Sequence, residues 1–202
     1  MDCTKILENL KKRKFTPKYF EDIKSAIDFI LEIIPNKDSI GFGGSMTVTE
    51  IGLLPKLFER GNTLYHSDYV NNISKEELRL QMHTANWYIS STNALSTTGE
   101  LINIDGRGNR VAEMVNGPEN IIIIAGTNKI VNSIEEGIYR TRNVASPLNC
   151  IRLNRNTPCA KTGKCSYCNT LDTICNATVI QHHPMMGQKN VYIIIIDKKL
   201  GY

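Results

Sequence analysis

The sequence predicts an open, mostly parallel α/β sheet covered by helices, with an N-terminal helical segment ahead of it. Three observations lead there. Strand-like and helix-like patterns alternate along the chain after Pro35. Several strand candidates, Ile121–Ala125 and Val191–Ile196 above all, are nearly unbroken aliphatic runs instead of alternating ones, the pattern of strands covered on both faces. At 202 residues, with no Pro-, Ser- or Gly-rich linker, the chain suffices for one sizeable core, so residues 1–202 are expected to form a single domain.

Residues 1–35 are read as N-terminal helices. From Tyr19 to Ile34 apolar side chains recur at spacings of three and four, the period of an amphipathic helix, and Pro35 ends it. Ser39–Phe42 is a short strand, Thr47–Arg60 a helix closed by Gly61, and Thr63–His66 a second strand. Ser74 and Glu77 form a capping box, in which each side chain satisfies a backbone donor of the other, opening a helix that runs to about His83. Trp87–Ser90, Leu101–Ile104, Ile121–Ala125 and Val191–Ile196 supply further strands, and Asn128–Asn143 a late helix. Arg140 and Arg142 are explained as cations complementing the end of that helix.

The net charge of +4 is concentrated in Lys11, Lys12, Arg13, Lys14 and Lys18, which read as a solvated helix face. No module interleaves basic residues with exposed aromatics, so no nucleic-acid partner is expected. No apolar run reaches membrane-spanning length, and the first residues lack the apolar core of a signal peptide. A cytoplasmic protein with reduced cysteines and no membrane partner is the expectation.

In open parallel sheets, ligands sit beyond the C-terminal ends of strands, so the loops there are where chemistry belongs. The first is Gly41-Phe-Gly43-Gly44-Ser45-Met46-Thr47. Closely spaced glycines let backbone N–H groups approach an anion, and the helix that follows adds its positive end and hydroxyl donors. It is neither a Walker A loop nor a dinucleotide fingerprint, and a plain tight turn is the alternative. The second runs from Thr98-Gly99-Glu100 to Arg107-Gly108-Asn109-Arg110. Arg107 or Arg110 would clamp an anionic substrate through the guanidinium fork, or one of them would pair with Asp105 to pin a turn. Glu100 is the candidate base or nucleophile if buried. Gly41, Gly43, Gly44, Ser45, Thr47, Thr98, Gly99, Arg107, Asn109 and Arg110 are thus the candidate anion-binding residues.

Four of the six cysteines, Cys159, Cys165, Cys168 and Cys175, fall within residues 157–176 at spacing C-x5-C-x2-C-x6-C. That segment is rich in turn formers and poor in apolar side chains, so a cation held by four thiolates would organise it. One C-x2-C is fewer than a zinc ribbon has, and the ferredoxin run C-x2-C-x2-C is missing, so zinc and an iron–sulfur cluster both remain open, with four free structural thiols as the alternative to either. Cys3 and Cys150 are set apart as ordinary thiols.

Taken together, Gly41-Phe-Gly-Gly-Ser-Met-Thr47, Thr98-Gly-Glu100, Gly106-Arg-Gly-Asn-Arg-Val111, Ala125-Gly-Thr-Asn-Lys-Ile130, Arg142-Asn-Val-Ala145 and Thr157-Pro-Cys-Ala-Lys-Thr-Gly-Lys-Cys165 resemble the LUD domain of lactate-utilisation proteins over nearly the whole chain. The resemblance implies a fold similar to the glucosamine-phosphate isomerase, ribose-phosphate isomerase and CoA-transferase superfamily. It implies a small anionic metabolite as ligand, a hydroxy or keto acid or a phosphorylated relative, and a role accessory to redox metabolism with redox partner proteins that carry iron–sulfur clusters. The ferredoxin module of larger relatives is missing, as is any flavin or nicotinamide fingerprint, which argues against lactate oxidation by this polypeptide alone. Two alternatives stand beside this reading. One is an isomerase or acyl/CoA-transferase-like enzyme using Glu100; the other is a zinc-stabilised binding protein without catalysis, in which the loop shapes a contact between copies of the chain.

Overall fold

The computed structural model describes residues 3–202. In chain order the elements are α1 (Thr4–Lys12), β1 (Thr16–Phe20), α2 (Ile23–Ile33), β2 (Ser39–Phe42), α3 (Met46–Glu50), α4 (Leu53–Glu59), β3 (Thr63–Tyr65) and α5 (Lys75–His83). Then follow β4 (Trp87–Ser91), β5 (Ala94–Ser96), β6 (Leu101–Asp105), α6 (Asn109–Asn116), β7 (Asn120–Gly126) and β8 (Ile130–Val131). The chain closes with α7 (Ile134–Arg140), α8 (Ser146–Arg152), α9 (Pro158–Thr162), β9 (Ala177–Gln181) and β10 (Asn190–Ile196).

Six strands in the order β1-β10-β7-β4-β2-β3 form a wholly parallel sheet. Successive side chains on a strand point to opposite faces, and both faces here are covered. Ile122, Ile124, Ile194 and Ile196 pack with Ile27, Ile30, Leu53 and Leu57 of α2 and α4. The intervening Ile121, Ile123, Ile193 and Ile195 pack with Ile6, Leu10 and Met114 of α1 and α6. Two-sided burial is why the central strands are unbroken aliphatic runs, as the sequence suggested.

A second sheet, β8-β5-β6-β9, stands beside the first, with β6 antiparallel to both β5 and β9. The predicted strand Leu101–Ile104 therefore exists, but in the smaller sheet. The N-terminal region also departs from expectation. Tyr19 and Phe20, assigned to a helix, belong to β1, which pairs with β10 from Thr16↔Tyr192 to Phe20↔Ile196. Pro17 is compatible with a strand only because β1 is at the sheet edge. Helix α2 starts after it, where Asp22 accepts a hydrogen bond from Ser25 N at 2.8 Å.

Two predicted helices are interrupted. Thr47–Arg60 divides into α3 and α4 at Gly52, whose φ of +68° is left-handed. Asn128–Asn143 begins only at Ile134, capped by Ser133, because Thr127–Lys129 makes a 3-10 turn and Ile130–Val131 pairs with β5. After Arg140 it widens into a π turn over Thr141–Ala145 before α8. Pro147 has no N–H to offer the carbonyl of Asn143, so one rung of the regular ladder is missing there. The helix opened by Ser74 is as predicted, with Glu77 N donating to Ser74 Oγ at 3.0 Å.

The basic N-terminal run is not uniformly solvated. Arg13 reaches across from the end of α1 to the β5–β6 turn, donating to Thr98 O at 2.6 Å and pairing with the Glu100 carboxylate. Arg13→Ala is expected to lower stability by about 2 kcal/mol in urea denaturation, the scale of a charge-assisted hydrogen bond to a buried carboxylate. An unchanged midpoint would make the contact inconsequential.

Candidate functional site

The sheet order creates a crevice. From β2 the chain moves outward to β3, then returns past β2 to β4, so the loops after β2 and β4 leave in opposite directions at the C-terminal edge. A cleft of about 560 Å³ opens there. Its walls are Gly44–Thr47 after β2, Ser91–Asn93 after β4, the β6–α6 loop around Arg107, the end of α8, the 171–176 segment and Tyr202.

The glycine loop is shaped by close passage over β4. A side chain at Gly43 would place its Cβ 2.4 Å from Tyr88 Oη and 2.9 Å from Ser90 Oγ, so only glycine fits. Gly44 next to it meets open space and is exposed to the cleft. Helix α3 is a single short turn, and one of its first donors, Val48 N, is engaged by Ser45 Oγ at 3.3 Å. The long positive helix end expected from sequence is therefore not built.

Positive charge comes instead from side chains. Arg107, Arg110, Lys129, Arg152 and Arg155 line the cleft against two carboxylates, Asp105 and Asp172. Arg110 is saturated. Its guanidinium donates to Asn103 Oδ1 at 2.7 Å, Ile104 O at 2.8 Å, Asn93 Oδ1 at 2.9 Å, Ser91 O at 3.2 Å and Asp105 Oδ2 at 3.4 Å. All five donors are used within the protein, so Arg110 contributes field and stitches β4 to β6. Arg107 is exposed and makes no hydrogen bond or ion pair with another described residue. Arg152 donates to Tyr202 Oη at 2.8 Å and to Asn149 Oδ1, and Arg155 lies 3.8 Å from Asp172.

Lys129 lies at the centre. Three residues beyond β7, its amine donates to Thr47 Oγ1 at 2.8 Å, Ser91 Oγ at 2.9 Å and Thr92 O at 3.2 Å, and only 3% of the residue is exposed. No carboxylate among the described residues pairs with it. Burial first, then the Arg140 and Arg110 charges, push its pKa down to about 7. Arg140 ends α7, where the sequence places it, but complementing the helix dipole is not its whole role. It is 9% exposed and donates to Asn128 O and Asn93 O, bracing the strands' ends.

The candidate residues thus separate into two places. Gly44, Ser45, Thr47, Arg107, Asn109 and Arg110 meet at the cleft; Gly41 and Gly43 lie in and just beyond β2 outside its lining. Thr98, Gly99 and Glu100 form the β5–β6 turn, also outside it. Burial would raise the Glu100 carboxyl, but hydrogen bonds from Ser96 and Thr98 and the Arg13 charge outweigh it and hold it below the ordinary value. Sequence reading missed Lys129, Ser91, Thr92, Arg152 and Tyr202. The usable signal for Lys129 was a lone cation directly after the most apolar strand.

The cysteines are divided as well. Cys159 packs with Cys150 and Ile174, and Cys175 lies against that cluster, so Cys150 belongs with the thiols from which sequence separated it. Burial raises the Cys150 thiol above its ordinary value. Cys165 and Cys168 instead contact Tyr167 N and Thr170 Oγ1. Among the described residues no group of three or more His, Cys, Asp or Glu side chains is arranged to hold a metal ion. As placed, the four thiols do not fit one tetrahedral centre.

Residues 3–196 match the LUD domain family. The crystal structure of a DUF162 family protein from Deinococcus radiodurans superposes with a TM-score of 0.51 at 11% identity, covering 97% of this chain and 99% of that one. A D-ribose-5-phosphate isomerase structure in complex with phospho-erythronic acid overlaps 55% of this chain and 53% of its own, with a TM-score of 0.30 and 17% identity. No curated protein matches the sequence. No helix among the described residues is long and apolar enough to cross a membrane.

Lys129 gives the site a pH signature. In the unfolded chain it stays protonated up to its ordinary value of 10.5, while in the folded chain it is neutral above about 7. Between those values folding releases a proton, so stability rises with pH by up to about 1.4 kcal/mol per unit; below 7 both states are charged and the penalty is constant. Relative to Lys129→Met, the native chain is expected to gain stability steadily from pH 7 to 10 in urea denaturation. A flat difference would mean the amine is not depressed. Gly43→Ala is expected to cost about 2 kcal/mol through overpacking against Tyr88, measured the same way.

Proposed function

This chain belongs to the LUD domain family, and on that premise we propose that it binds a small anionic metabolite in the cleft at the C-terminal edge of the parallel sheet. The observation that carries the reading is the charge balance. Four arginines and the depressed amine of Lys129 line the cleft against two carboxylates, and Arg107 has no hydrogen-bond or ion-pair partner among the described residues. An unpaired guanidinium beside an exposed glycine backbone suits a carboxylate or phosphate, which takes two parallel N–H donors from the fork. The resemblance to lactate-utilisation proteins implies a hydroxy or keto acid ahead of a phosphorylated relative, and a role accessory to redox metabolism. Catalysis by Glu100 as base or nucleophile has less support, because Ser96, Thr98 and Arg13 already occupy its carboxylate.

The test is ligand-linked stabilisation. Lactate, pyruvate or ribose 5-phosphate at about a hundred times its dissociation constant is expected to stabilise the protein by about 2.7 kcal/mol, read as a higher Tm. Arg107→Ala is expected to weaken binding about tenfold or more, the loss of one charge-assisted contact. A panel of such acids producing no shift would remove the reading.

A further inference from the structure

We propose that Lys129 is a carbonyl-reactive amine, and that the cleft takes a small carbonyl compound bearing a carboxylate or phosphate, which Lys129 captures as an imine. This rests on the cleft being an anion site and adds what the site does to its ligand.

The geometry sets Lys129 apart from a structural cation. A buried lysine that serves only to hold a fold is expected to neutralise a carboxylate, since an unpaired buried charge is costly. Among the described residues Lys129 has two hydroxyls and one carbonyl as hydrogen-bond partners and no acid. The charged groups acting on it are Arg140 and Arg110, both repulsive, with Glu50 weakly opposing them. Desolvation beside other cations is one way a protein releases an amine from its proton and makes it a nucleophile. Hydroxyls accept from an ammonium and donate to an amine, so the Thr47 and Ser91 cage tolerates either protonation state. The same two hydroxyls lie within hydrogen-bond reach of Nζ, where a carbinolamine would have to lose its oxygen. Arg107 and Lys129 line one cleft, so an anion held by the first is confined with the second.

The step balances without an oxidant or reductant. The Nζ lone pair attacks the carbonyl carbon and the carbinolamine forms. Its oxygen then leaves as water, taking both amine hydrogens, and C=N replaces C=O. Either a 2-oxo acid or a phosphorylated sugar in its open form supplies the required chemistry.

Reductive trapping tests this on the full-length chain. Pyruvate and ribose 5-phosphate are added separately with sodium cyanoborohydride, and intact mass is measured. The expected result with one of them is a single saturable adduct whose mass is that of the compound less one oxygen atom. Peptide mapping is expected to place it on Lys129, and Lys129→Met to abolish it. Mapping on the native chain decides the matter even if that variant folds poorly. Adducts scattered over exposed lysines, or none, while pyruvate or ribose 5-phosphate still raises Tm, would overturn the imine and leave the anion site standing. Neither an adduct nor a Tm shift with any anion would overturn both.

Discussion

Burial of β7 and β10 on both faces is the constraint from which the rest of the molecule follows. Each strand donates alternate side chains to two different layers, so neither face tolerates a polar residue along Ile121–Ala125 or Ile193–Ile196. Helices α2 and α4 on one side and α1 and α6 on the other are held by the same strands. Polar chemistry is thereby displaced to the strand ends, where backbone carbonyls lose their sheet partners and have to find donors elsewhere.

Those donors are cationic. Arg110 and Arg140 serve carbonyls and amide oxygens at the ends of β4, β6 and β7, and Lys129 serves Thr92 O. Gathering three cations around one set of strand ends solves a local hydrogen-bonding need but concentrates charge where Lys129 and Arg140 are buried. The lysine, the one of the three whose proton is easily lost, relieves the repulsion by giving it up. Anion affinity and a depressed amine are two aspects of one electrostatic arrangement.

Much of the main sheet was legible because its signal is strong and local. Ser39–Phe42 coincides with β2, and the aliphatic runs fall inside β7 and β10. The smaller sheet was largely illegible, since Ala94–Ser96 and Ile130–Val131 are too short to show a period and acquire strand geometry only through pairing, Ile130–Val131 with Ala94–Ser96 and Ala94–Ser96 also with β6. That pairing is also what shortened the helix expected from Asn128. Tyr19 and Phe20 fit a helical repeat by chance, and the distant partner β10 decided their conformation. Of the site, the glycine loop and Arg107 could be found from turn chemistry and charge. Lys129 could be noticed only as a lone cation after the apolar run of β7, because nothing in its neighbours along the chain reveals that Thr47 and Ser91 surround it. The cysteine spacing suggested one centre, yet contacts across the fold gather Cys159 and Cys175 around Cys150 and leave Cys165 and Cys168 outside that cluster.

The edges of the large sheet carry a different lesson. Its outer strands are β3, three residues long, and β1, which contains Pro17 and Lys18. A short edge offers few backbone groups for another chain to bond, while a proline lacks a donor and a lysine resists being covered. Sheet extension from molecule to molecule is thus discouraged at both ends, which guards a core made of isoleucine runs that would otherwise template aggregation. A second protein that associates at this sheet is thereby turned away from its edges and toward the helical faces and loops around it, leaving the order of the six strands intact.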